Sequence, residues 1–159
     1  MRIDPARLTE RWYSGVLAAG VTEAQYVETV GIIAQIVAID TMARGLGREP
    51  PSLPTPQPGA PSQDRPRGAK PGPAWVAWVE PEDAEPGTLG HYPTERPAAS
   101  IQKALSLVPA EAEGFFDLVV HQYLPGPAMR DFSREYRAIT HAQIELLAAR
   151  VSALNQCLY

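Results

Sequence analysis

The chain has 159 residues, enough for one domain of ordinary size, and 45% of them are hydrophobic. Fourteen Lys and Arg against 18 Asp and Glu give a net charge of −4. No basic run forms a phosphate-binding stripe, so nothing points to nucleic acid and no such partner is expected. A single cysteine, Cys157, rules out a disulfide within the chain and fits a reducing compartment. The N-terminal stretch M-R-I-D-P-A-R-L-T-E-R-W lacks the apolar core of a signal peptide. The longest apolar run, around Val30 to Ile39, is broken by Gln35 and reads as too short to span a bilayer. The expectation is a cytoplasmic protein that engages no membrane.

Residues 5 to 19 read as a first helix, with Pro5 near its start. Leu8, Trp12 and Val16 recur at fourfold spacing with Leu17 beside them, and Gly20 follows as the stop. Thr22 and Gln25 form a capping-box pair at the head of a second helix that runs to about Leu46. Its apolar band (Tyr26, Val27, Val30, Ile33, Ile36, Val37, Ile39) is wide, which predicts a central, mostly buried helix. The two helices are expected to form a hairpin over residues 1–48.

From 49 to 97 the composition changes. Thirteen of the 17 prolines fall here. Proline fixes φ and removes a backbone donor, so neither a long helix nor a central strand is expected. The phrase W-V-A-W-V, Trp75 to Val79, is too apolar for a solvated linker. An extended arm packed on a surface, its own or a partner's, follows from the cost of exposing two tryptophans.

Residues 98 to 159 return to helical patterning. A short helix over 98–108 precedes one opened by Pro109, with Glu111 and Glu113 near its N-terminus and Phe115, Phe116, Leu118, Val119 and Tyr123 as its buried face. Pro125 and Pro127 end it, and 129–136 holds another turn or two. The last helix starts at Thr140, capped by a second box with Gln143, and carries Ile144, Leu147, Val151 and Leu154 on one face, which is expected to be buried. No helix stop is legible before Tyr159. With no convincing strand and no phosphate-loop pattern, the fold class is all-α.

Single residues say little about chemistry. A lone helical cysteine is usually an inert hydrophobe. Glu145 reads as a helix N-terminal charge. His121 and His141 read as surface or satisfied histidines, and His91 carries no signal. No histidine has metal-ligand spacing to another or to Cys157, so no metal and no cofactor is expected.

The pattern as a whole carries more. The stretch Glu145 to Cys157, E-L-L-A-A-R-V-S-A-L-N-Q-C, resembles the core helix of the alkylhydroperoxidase D-like family, relatives of carboxymuconolactone decarboxylase. There a glutamate precedes a C-x-x-C pair by twelve residues and a histidine follows the pair. L-T-E-R-W-Y-S-G-V-L-A-A-G-V-T-E-A-Q-Y-V-E-T-V-G-I-I-A and K-A-L-S-L-V-P-A-E resemble further helices of such domains.

The resemblance implies a hydroperoxide reductase, with an organic hydroperoxide as substrate and a dithiol as reductant, working as a homo-oligomer. Glu145 matches the relay carboxylate and Cys157 the resolving thiol. The attacking residue, cysteine or selenocysteine, and its histidine have no counterpart among these 159 residues. The resemblance therefore implies an incomplete form, inactive by itself, of a protein that continues as C-L-Y-U or C-L-Y-C. The alternatives are a non-catalytic helical assembly module, an inactive paralogue, or a carboxymuconolactone decarboxylase-like enzyme without a redox cysteine.

Overall fold

The computed structural model describes residues 7–59, 65–94, 97–155 and 157. Its order is α1 (Glu10–Ala18), α2 (Glu23–Gly45), β1 (Ala69–Lys70), β2 (Trp78–Val79), α3 (Ser100–Lys103), α4 (Pro109–Gln122) and α5 (His141–Leu154), with 3-10 turns at Pro81–Asp83 and Ala128–Arg130. The chain is mainly helical. The two strands, a feature absent from the sequence reading, form an antiparallel ladder with Ala69 opposite Val79 and Lys70 opposite Trp78.

Helix starts follow the side-chain caps. Thr9 accepts from the Trp12 amide, so α1 begins at Glu10 and not at residue 5. Pro5 itself lies outside the described residues. Thr22 with Gln25, and Thr140 with Gln143, both make the reciprocal capping box. Pro109 opens α4 at a position whose amide would be unpaired anyway.

The first two helices end at glycines. Gly47 adopts a φ of 69°, its amide bonds Arg44 O, and Arg48 N bonds Ala43 O at 2.9 Å; together these close α2. Gly20, at φ 95°, turns the chain from α1 into α2. Tyr13 packs edge-on against Tyr26 at 4.9 Å and stacks on Trp75 at 5.9 Å, which ties α1 to α2 and to the arm. Tyr13, rather than the Leu8, Trp12 and Val16 stripe, is the buried residue of α1.

The arm docks on its own chain. Ala77, Trp78 and Val79 are buried, while Trp75 stays 43% exposed. A two-residue ladder leaves most of the extended arm's backbone groups needing other hydrogen bonds, and side chains supply several. Val79 N donates to Ser106 Oγ at 2.8 Å, and Tyr92 Oη donates to Val79 O at 2.7 Å. Ala77 N donates to Glu23 Oε1 at 2.7 Å, and Arg65 pairs with the same carboxylate at 2.5 Å. Lys103 lies over the Trp78 ring at 4.1 Å and pairs with Glu80 at 3.0 Å. Two tryptophans in one phrase therefore divide their roles: Trp78 is an anchor and Trp75 a lid on Tyr13.

The main core gathers Val27, Ala77, Val79, Leu89, Leu105, Leu107 and Ala112 from α2, the arm and the segment around α4. A second cluster joins Leu124, Ala128 and Ile144, with Tyr123, Met129 and Tyr136 against it. Leu89 sits at φ 53°, a costly conformation for leucine; its burial and the bond from its amide to Glu113 Oε1 at 2.8 Å hold it there.

Three expectations of burial fail for one reason: the faces are apolar, but little of this chain covers them. In α2 only Val27 and Gly31 are buried, and Ile32 and Met42 are exposed. In α4 only Ala112 is buried, with the phenylalanines half-buried. In α5 the stripe is buried at Ile144 alone, whereas Leu147, Val151 and Leu154 are 58%, 58% and 64% exposed. By length and composition α2 is also sufficient to cross a bilayer, contrary to the sequence reading, which stopped its apolar run at Gln35.

Gln35 has a partner. Its Nε2 donates to Glu111 Oε2 at 2.8 Å between α2 and α4. Burial, then the nearby Glu28, push the Glu111 carboxyl above the ordinary glutamate range, with the Gln35 bond opposing them. A raised acid in the folded state binds its proton more tightly than the unfolded chain does. Stability is therefore lost as pH rises from the ordinary value through the raised one. Glu111→Gln removes that loss. Its melting temperature should match or exceed wild type by about 1–2 °C at pH 7, with the difference gone near pH 4, measured by calorimetry against pH.

Candidate active site

α5 carries Glu145 but not Cys157, so the single helix expected to hold both does not bring them together. Glu145 lies on the second turn and Cys157 lies beyond the helix. From Glu145 to Leu154 the axial rise is roughly 14 Å. Helical side chains also lean toward the N-terminus, which carries the Glu145 carboxylate away from the sulfur. The helix has a stop that the sequence reading missed. Asn155 is its C-cap and donates Nδ2 to Val151 O at 2.9 Å; Cys157 N then bonds Ser152 O at 3.0 Å. This is a six-to-one closure of the Schellman kind. Cys157 is exposed.

Glu145 is received by a built environment. Tyr123, at the C-cap of α4, donates its hydroxyl to Glu145 Oε1 at 2.6 Å. Burial, then the Glu145 carboxylate, push the Tyr123 phenol up to about 12, so it remains a donor. Arg137 Nη2 donates to Tyr123 O at 2.8 Å and holds the end of α4 from the other side. The Glu145 side chain is 41% exposed.

His141 completes the cluster, one turn before Glu145. It is 3% exposed, not a surface residue. Phe132 stacks on its ring at 3.9 Å and 7°. Its amide donates to Glu135 Oε2 at 2.6 Å, and Nδ1 lies 3.3 Å from Asp131 O. Nε2 lies 3.5 Å from Glu145 Oε1, within ion-pair range but outside hydrogen-bond geometry. It is a buried atom without a hydrogen-bond partner. The expectation of a satisfied histidine therefore holds at one nitrogen only. The i, i+4 spacing of His141 and Glu145 was visible in the sequence and places both on one face. Nothing in the pattern marked Tyr123 as more than an apolar-face residue.

The loop that frames this cluster is tied by its own polar bonds. Tyr136 Oη donates to Asp131 Oδ2 at 2.7 Å, and Ser133 N donates to Asp131 Oδ1 at 3.0 Å. The Ser133 hydroxyl, which also donates to Oδ1, then the Tyr136 hydroxyl and the Ser133 amide hold the Asp131 carboxyl below the usual carboxylate range. A groove of about 720 Å³ opens beside it, lined by Tyr123, Arg137, Ile139, Ile144, Leu147 and Val151 among others.

The other histidines take no part. His91 stacks flat on Phe116 at 4.2 Å with Nε2 on Gln102 O, and burial lowers it below the ordinary histidine value. His121 is exposed on α4. Among the described residues no group of three His, Cys, Asp or Glu could hold a metal ion.

Comparison with known proteins gives no match: no family model, no curated protein and no solved structure is similar to this chain.

Proposed function

We propose that the chain carries part of a thiol- or selenol-based peroxidase centre of the alkylhydroperoxidase D-like kind, in a cytoplasmic homo-oligomer. Glu145 serves as the relay carboxylate and Cys157 as the resolving thiol. One observation supports this above the others: Glu145 accepts the Tyr123 hydroxyl and faces His141 near the start of α5, while Cys157 stands exposed past its other end. A solvated helix-end charge has no need of such a setting. The separation along α5 also suits the division of labour, because a resolving thiol does not need the carboxylate beside it.

The chemistry is written with X for sulfur or selenium of an attacking cysteine or selenocysteine outside these 159 residues. X–H meets an organic hydroperoxide, ROOH. The X anion attacks the terminal oxygen, the O–O bond breaks, and ROH leaves with the proton returned through the carboxylate, giving X–OH. The Cys157 thiol condenses with X–OH, forming the S–X bond and releasing water. A dithiol reductant then opens that bond, restoring X–H and the Cys157 thiol as it becomes a disulfide.

Peroxide consumption with a dithiol reductant tests this on the gene's translated product, read with the message sequence beyond codon 159. Cys157→Ser is expected to abolish dithiol-dependent turnover. Undiminished turnover in that variant, or a message lacking both a chalcogen residue and a histidine there, overturns the proposal.

A second reading has its own support. Leu146, Leu147, Val151 and Leu154 are all more than half exposed on α5, a stripe that suits a helical assembly module. That reading, like an inactive paralogue, gives no turnover with or without Cys157. A decarboxylase-like enzyme would give none with peroxide and would tolerate Cys157→Ser.

A further inference from the structure

We propose that His141 and Tyr123 are positioning residues that bracket one oxygen of Glu145 and leave the other to exchange protons. The inference rests on Glu145 as the relay carboxylate, and it extends that reading to two residues outside the motif.

The geometry is one-sided. The Tyr123 hydroxyl, 2.6 Å away, and His141 Nε2, 3.5 Å away, converge on the same atom, Oε1. Oε2 is the oxygen left for proton transfer. A carboxylate on a solvated helix rotates among its rotamers, and each rotation moves the basic lone pairs. One donor at 2.6 Å and a buried imidazole facing the same oxygen restrict that freedom, which is what a proton relay needs.

His141 is itself held at three points. Phe132 covers its face, Asp131 O faces Nδ1, and Glu135 takes its backbone amide. A neutral imidazole carries one N–H. Both ring nitrogens here face acceptor oxygens, so one of the two contacts stays open. A buried polar atom without a bond costs stability. The Nε2–H tautomer turns its donor toward Oε1 and leaves Nδ1 as the open contact, facing Asp131 O. Burial, stacking and aim together distinguish this histidine from a packing residue.

Two measurements test the bracket on the full chain. The first needs no turnover: nitrogen NMR with labelled histidine. Glu145→Gln should move the His141 Nε2 resonance and leave those of His91 and His121 in place. An unmoved His141 Nε2 overturns the proposal. The second uses the peroxidase-competent product. Tyr123→Phe and His141→Gln should each lower kcat roughly tenfold with KM unchanged, a split that simple loss of folded protein does not give. Normal kcat in both variants sinks the bracket and leaves the peroxidase reading standing. The Nε2 response without turnover in any form sinks the peroxidase reading and leaves the bracket standing.

Discussion

Leu107→Ala should lower the stability of this chain by about 2–5 kcal/mol, among the largest losses any single truncation would cause. Leu107 is 0% exposed and lies in the core cluster with Val27, Val79, Leu89, Leu105 and Ala112. Its neighbours come from α2, the arm and the residues just before α4, so a cavity there loosens three segments together. Ser106 beside it is fixed by two bonds, Val79 N to its Oγ and its Oγ to Lys103 O at 2.7 Å, so the backbone cannot easily close over the void. Domains of this size are typically stable by roughly 5–15 kcal/mol, so the loss is a large part of the whole. Chemical denaturation with a matched control measures it. Leu147→Ala, at 58% exposure, should change stability by less than about 0.5 kcal/mol in the isolated chain. A large loss for Leu147→Ala would show the α5 stripe covered by another molecule in solution.

That contrast marks what was readable from sequence. Thr22 with Gln25, Thr140 with Gln143, Pro109, Gly20 and Gly47 each act through their own backbone within a few residues. Their effects were therefore visible in the sequence, and the structure places each where local chemistry puts it. The docking of W-V-A-W-V was readable too, because apolar surface of that size must be covered. Its exact partners, Glu23, Ser106 and Tyr92, were not, since they lie far off in the chain.

Periodicity has a narrower reach. The Ile144, Leu147, Val151 and Leu154 spacing shows that a face is apolar, but not what lies against it. Only Ile144 meets the second cluster, beside Leu124 and Ala128. The site divides the same way. Glu145 and Cys157 came from a spacing read along one helix, whereas the groups that give Glu145 its surroundings come from the end of α4, the first residue of α5 and the loop before it. His141 was dismissed because residue type alone makes a surface histidine the commoner case. Its burial depends on Phe132 folding over its ring, a contact across nine positions that no local rule predicts.

Gly31→Ala should destabilise the chain by roughly 1–3 kcal/mol through overpacking, although alanine is the better helix former by about 1 kcal/mol. Gly31 is buried on α2 where α4 crosses it. A Cβ there would stand 2.7 Å from Glu111 Cβ and 2.6 Å from Glu111 Oε2. The carboxylate can swing away, but the Glu111 Cβ is fixed to its helix, so the helices must separate. Separation also strains the Gln35 to Glu111 bond, the polar tie between them.

Gly114→Ala makes the useful comparison. Its Cβ meets Gln35 Oε1 at 2.8 Å, the far end of a flexible side chain, so rotation relieves it and the loss should be smaller. Glu111→Gly in the Gly31→Ala background removes the offending Cβ from the other side. If close approach is the cause, this double variant should lose less than the sum of the two single changes, as measured by a double-mutant cycle. Strict additivity would mean that α2 and α4 do not meet at Gly31 in solution. The half-buried carboxylate of Glu111 would then need another explanation.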